Sequence, residues 1–280
     1  MLGCDLNQKL SSEKVKMLIS HGYLFFIRYV GRYQMTSYDL SPEETDIIIS
    51  SGGQLAVVQH CENENWIATK EKGFEYGQNA REFAKQCNYQ KGCIVYLDLE
   101  GLHINHSIQD IIAFCIAWYD EVVQYYTPGV YIGFNVWLNN AQLYGALPFE
   151  HYWSAYNADR TPSPRGYEMI QKLEVAIGEI TIDPDVVIGD KFGNTPIFMK
   201  GDNTMTNDQI RETLGMQDAT WAKENGVMDE AKLIGLINEP HDPNEPATMG
   251  ELIQIVTNLY NLLKPKSVVS NDDVLGDKQP

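Results

Sequence analysis

The segment "CIVYLDLEG" closes an apolar run with two carboxylates, Asp98 and Glu100, two positions apart. On an extended strand, side chains two positions apart leave from the same face, with their backbone positions about 6.5 to 7 Å apart. Two carboxyl groups crowded into one mouth do not both ionise easily, so one keeps its proton near neutral pH. A retained proton beside a negative partner suits glycosidic cleavage, in which a general acid protonates the leaving oxygen while a carboxylate faces the developing positive charge. Glu100 reads as the acid and Asp98 as its partner. The plainer reading, in which one of the pair points idly into solvent, loses ground because other strand ends add Asp5 and Asp183.

The elements that must position these groups show as a rhythm. Short apolar runs near residues 3–6, 25–30, 55–60, 93–99, 129–134, 152–155, 169–173 and 180–182 read as eight strands. Amphipathic stretches follow several of them: 12–21 behind a Ser11 or Ser12 cap, 42–51 with Ser41 as cap and Pro42 at its first position, 73–86, and 107–126. Alternation of this kind makes either a closed barrel or an open doubly wound sheet. No GxGxxG follows the first strand and no GxxxxGK[ST] occurs, so the expected fold class is α/β, a (β/α)₈ TIM-type barrel followed by a small all-helical module.

In such a barrel the reacting groups stand at the C-terminal ends of the strands. That filter selects Asp5, Arg28 with Tyr29, Gln59 with His60, Asp98 with Glu100, Asn135, Trp153 with Tyr156, Glu174, and Asp183 with Asp185. Of these, Arg28, Gln59, Asn135, Trp153 and Tyr156, together with Tyr131, are candidate substrate-binding residues. Tyr131, Trp153 and Tyr156 offer faces for sugar rings, against a plainer role in barrel packing. His103 and His106 in "GLHINH" lack a third placed ligand and read as loop or capping residues, so no metal or other cofactor is expected.

A formal charge of −17 disfavours nucleic acid and anionic membrane as partners, and no apolar run approaches bilayer length. No basic segment leads into a hydrophobic run at the N-terminus, so no signal peptide is evident. The five cysteines are scattered without a CxxC pair and read as reduced, buried thiols.

Taken in order, "GCDLNQKL", "FIRYVGRY", "YLDLEG", "GVYIGFNVW", "YWSAYN" and "ITIDPDVV" resemble the strands of a known group. These are the glycoside-hydrolase-like barrel domains of undefined function in bacterial and phage proteins, related to the Chalaropsis-type muramidases of glycoside hydrolase family twenty-five. The resemblance covers about residues 2–188. It implies a peptidoglycan-type glycan, Glu100 as proton donor, and Asp98 stabilising positive charge or orienting the 2-acetamido group as internal nucleophile. Asp5 and Asp183 become supporting carboxylates, with Asp183 preferred over Asp185 for the family position. A chitinase-like barrel is disfavoured, because Ile94 and Tyr96 occupy the positions where a DxxDxDxE run needs aspartates.

The expected domains are a barrel over residues 1–190, a linker over 191–204, helices within 205–265 and a flexible tail over 266–280. The stretches "TWAKENGVM" and "NEPHDPNEPATMGELIQIVTNLYNLL" are similar to surface-layer-homology-like and endolysin-associated modules, although the usual basic residue after Thr248 is replaced. The partners then expected are cell-wall polysaccharide and, through the C-terminal helices, a second copy of the chain. The working place is the bacterial wall or the extracellular space, reached by phage lysis or a non-standard route. The alternative function is a catalytically silent barrel that binds wall glycan or builds part of a phage or secretion assembly.

Overall fold

The computed structural model describes residues 1–60 and 62–201. Seven parallel strands run in chain order around a ring: β1 (Leu2–Asp5), β2 (Phe25–Val30), β3 (Gln54–Gln59), β4 (Ile94–Leu99), β5 (Thr127–Ile132), β6 (His151–Ser154) and β7 (Met169–Gln171). Two more follow, β8 (Val175–Ile177) and β9 (Ile180–Val187), and they form a hairpin about Gly178. β9 runs antiparallel to both β7 and β1 and closes the ring, so the barrel has eight strands with β8 outside it.

The expected barrel is therefore present, with its last strand reversed. The reason is chain length: a parallel crossover takes a dozen or more residues, usually a helix, and too few separate β7 from β9. Helices follow the first five strands: α1 (Ser12–Ser20), α2 (Pro42–Ser50), α3 (Lys70–Gln86), α4 (Ile108–Val122) and α5 (Asn140–Gly145). Ser11, Ser41, Thr69, Ser107 and Asn139 accept from backbone amides at their N-termini. α5, over which no helix is expected from the sequence, is a short helix held by a capping box of Asn139 and Gln142.

Strands β1 to β7 are buried on both faces, so alternate residues feed two cores. Phe25, Ile27, Val58, Tyr96 and Met169 fill the barrel, whereas Phe26, Val57, Leu97, Phe114 and Trp118 pack between sheet and helices. Residues 189–201, expected as a linker from about 191, lie across the N-terminal end of the barrel. Leu55 and Met199 exchange backbone hydrogen bonds, Ile94 N donates to Ile197 O at 2.8 Å, and Phe198 packs on Phe25 with ring centroids 4.5 Å apart. The expected helical module and tail lie outside the described residues.

Candidate functional site

The alternation of β4 decides which of its residues reach the interior. Val95, Leu97 and Leu99 face the helices, so Tyr96, Asp98 and Glu100 face inward. Asp98 and Glu100 thus share one face at the C-terminal mouth. Glu100 fits because a glycine follows β5: a Cβ on Gly133 would lie 2.1 Å from Glu100 Oε2 and 2.5 Å from Glu100 Cβ.

These carboxylates line a cleft of about 250 Å³ together with Tyr29, Val58, Tyr131, Trp153, Tyr156, Gln171 and Asp183. The reversal of β9 brings Asp183 to this end, paired in register with Asp5. Burial, then the Glu174 charge, raises the Asp183 carboxyl above its ordinary range.

Beneath the cleft lies a second carboxylate pair. Asp5, on β1, accepts from Tyr29 Oη at 2.9 Å and from Gln171 Nε2 at 2.8 Å. Burial pushes its carboxyl up to about 7, against the hydrogen bond from Gln171. Asp185 accepts from Trp153 Nε1 at 2.8 Å, and burial with the charge of Asp5 raises its carboxyl well above the usual range. The two "DPD" aspartates therefore differ in depth: Asp183 borders the cleft, whereas Asp185 is fully buried within the barrel.

Three candidate substrate-binding residues sit elsewhere. Arg28 alternates with Ile27 and Tyr29, so it points out of the barrel, where Nε donates to Glu44 Oε1 of α2 at 2.7 Å and the guanidinium also reaches the Leu6 and Tyr38 carbonyls. Gln59 also points outward, donating to Gly31 O and Tyr76 O and accepting from Trp118 Nε1. Neither lines the cleft, because both are held by protein partners between sheet and helices. Asn135 is exposed in the loop after β5, with φ 55°, and does not line the cleft either.

Tyr131, Trp153 and Tyr156 do line the cleft. Tyr131 and Trp153 are buried and meet edge to face with centroids 4.4 Å apart, whereas Tyr156 is 57% exposed at the mouth. Gln171 is the residue the sequence reading misses. It donates to Asp5 and accepts from Tyr131 Oη at 2.9 Å, tying the two together. Its signal was a polar residue inside the apolar run 169–173, whereas the strand-end filter moved on to the exposed Glu174. His106 Nε2 accepts from Ala68 N and His103 Nδ1 from Asn105 N, so both histidines serve loop structure. Among the described residues, no helix is long and apolar enough to cross a membrane.

A structure from B. stearothermophilus, described as an uncharacterized protein, superposes with a TM-score of 0.52 at 17% identity, over 67% of this chain and 96% of that one. The Tat-secreted protein Rv2525c of Mycobacterium tuberculosis, solved with HEPES, superposes at 0.50 with 15% identity, over 69% and 97%. These likenesses speak to the fold. No curated protein matches the sequence. The model of the family described as "Rv2525c-like, glycoside hydrolase-like domain" matches residues 16–187, and the chain belongs to that family.

Proposed function

We propose that the barrel is a glycoside hydrolase acting on peptidoglycan-type amino-sugar glycan at the bacterial cell wall, with Glu100 as general acid. The observation that carries this reading is the placement of Asp98 and Glu100 on one inward face of β4, in a cleft that Asp183 also borders. The glycoside-hydrolase-like family fits it, and the Tat-secreted Rv2525c fits a place of work outside the cytoplasm.

In this mechanism the acetamido oxygen of the substrate bonds to the anomeric carbon as the glycosidic C–O bond breaks, and Glu100 gives its proton to the departing oxygen. Asp98 steadies the acetamido N–H and the positive charge. Water then opens the cyclic intermediate and returns a proton to Glu100. Tyr156 and Tyr131 supply ring faces and a hydroxyl for the sugar, and the deeper Asp5 and Asp185 shape the field under the pair. Residues 205–265 would attach the barrel to wall polymer.

Release of new reducing ends from purified sacculi tests this. Wild type is expected to release them, and Glu100→Gln to lose at least about 10²-fold in kcat while still binding glycan. Undiminished activity in that variant removes Glu100 from the mechanism. Glycan binding without product from wild type replaces the hydrolase with a binding barrel.

A further inference from the structure

The backbone immediately after β4 is held more completely than a surface loop needs to be. From the carbonyl of Glu100 to that of Leu102, five consecutive main-chain groups are hydrogen-bonded to one of two flanking loops. The loop after β3 contributes Trp66 Nε1, which donates to Glu100 O at 2.6 Å, and Asn65 N, which donates to Gly101 O at 2.7 Å. The loop after β5 contributes Phe134 O, accepting from Gly101 N at 2.9 Å, and Asn135 O, accepting from Leu102 N at 3.2 Å. It closes the set with Trp137 Nε1, which donates to Leu102 O at 2.8 Å.

The same ring of residues concentrates unusual backbone. Asn65, Gly101, Asn135 and Trp137 have φ of 66°, 68°, 55° and 62°. A left-handed tryptophan is uncommon, and such conformations persist where their surroundings over-determine them. The loop carrying Trp137 also begins at Gly133, whose missing side chain makes room for Glu100. One loop therefore sets both the root of Glu100 and the seat of its carboxyl.

We propose that Trp66 and Trp137 are positioning residues: their indole N–H groups clamp the carbonyls on either side of Gly101 and so aim the Glu100 carboxyl into the cleft. Neither needs to touch substrate. The inference rests on the reading of Glu100 as general acid. The physical warrant is that proton transfer depends steeply on geometry, so a carboxyl hung on a loose turn donates poorly even with its pocket intact.

The test uses the full chain with Trp66→Phe and Trp137→Phe, which keep an aromatic ring and delete the N–H. Amide hydrogen exchange at Gly101 and Leu102 is expected to rise at least tenfold, with the amides of β2 and β3 unchanged. On sacculi, kcat is expected to fall about 10²-fold with KM nearly constant, and the limb of the pH profile belonging to the acid is expected to move. Wild-type exchange in both variants overturns the clamp. So does faster exchange with kcat and the pH limb unmoved, because the indoles would then be ties of structure alone. If either variant unfolds, Gly101→Ala carries the same expectation, since it leaves both indoles in place and disfavours the turn. If wild type cuts no glycan, the proposed function fails separately. The clamp is then judged by the Glu100 titration followed with ¹³C carboxyl NMR, which must move in each variant and overturns the clamp if it does not.

Discussion

A carboxyl group sealed inside a barrel keeps its proton unless the protein replaces the solvation that water gave it. Asp5 has partial replacement, from Tyr29 and Gln171, and still rises to about 7. Its folded value lies above the unfolded one, so the stabilisation is fully present below about pH 4 and is lost as pH rises through about 7. Urea unfolding of wild type between pH 4 and 8 is expected to show stability falling with pH. Asp5→Asn is expected to flatten that slope, both by removing this group and by relieving the charge that helps raise Asp185. An equally steep slope in Asp5→Asn would mean that another group carries the dependence. The acidic residues were legible as a set, because a polar residue ending an apolar run is conspicuous. Their division into cleft and interior was not, since Asp183 and Asp185 differ only by two places along β9.

At the scale of the elements, β2 shows why polarity at a strand end is an incomplete guide. Phe25, Ile27 and Tyr29 point inward, and Phe26, Arg28 and Val30 point outward, yet both sets are largely apolar because both faces are buried. Alternation therefore gave no sign that Arg28 belongs to the interface with α2. The buried pair it makes with Glu44 at 2.7 Å predicts a specific cost: Glu44→Gln leaves a guanidinium uncompensated and should lower unfolding free energy by about 3–5 kcal/mol. Denaturant titration measures it, and near-wild-type stability would deny the pair a structural role. Glycan binding is expected to stay unchanged, because neither residue borders the cleft. The strands themselves, all eight barrel positions, were readable from apolar runs and their punctuation. The reversed direction of β9 was not among the expectations, because periodicity alone was read and the short connection before β9 was not weighed beside it.

Across the whole described molecule, the N-terminal end of the barrel is stoppered by chain that composition marks as a linker. Gly, Asp and Asn in residues 189–203 suggest loose structure, yet Phe198 is only 6% exposed and completes the barrel's inner core. Phe198→Ala is expected to cost about 3–5 kcal/mol, read as a lowered urea midpoint with an unchanged slope. A shift below about 0.5 kcal/mol would show that the segment rests on the barrel without supporting it. Closure of the ring has a consequence in time as well. β1 is made before the other strands of the barrel, but its antiparallel neighbour is β9, and the Met1 nitrogen donates to Val187 O across 186 positions. At about 5–20 residues per second, a ribosome exposes β1 for many seconds before that neighbour exists. Throughout that interval the free edge of β1 stands open to any other strand, joined at its close by that of β7, so the nascent chain is most in need of chaperone shelter before its last barrel strand emerges.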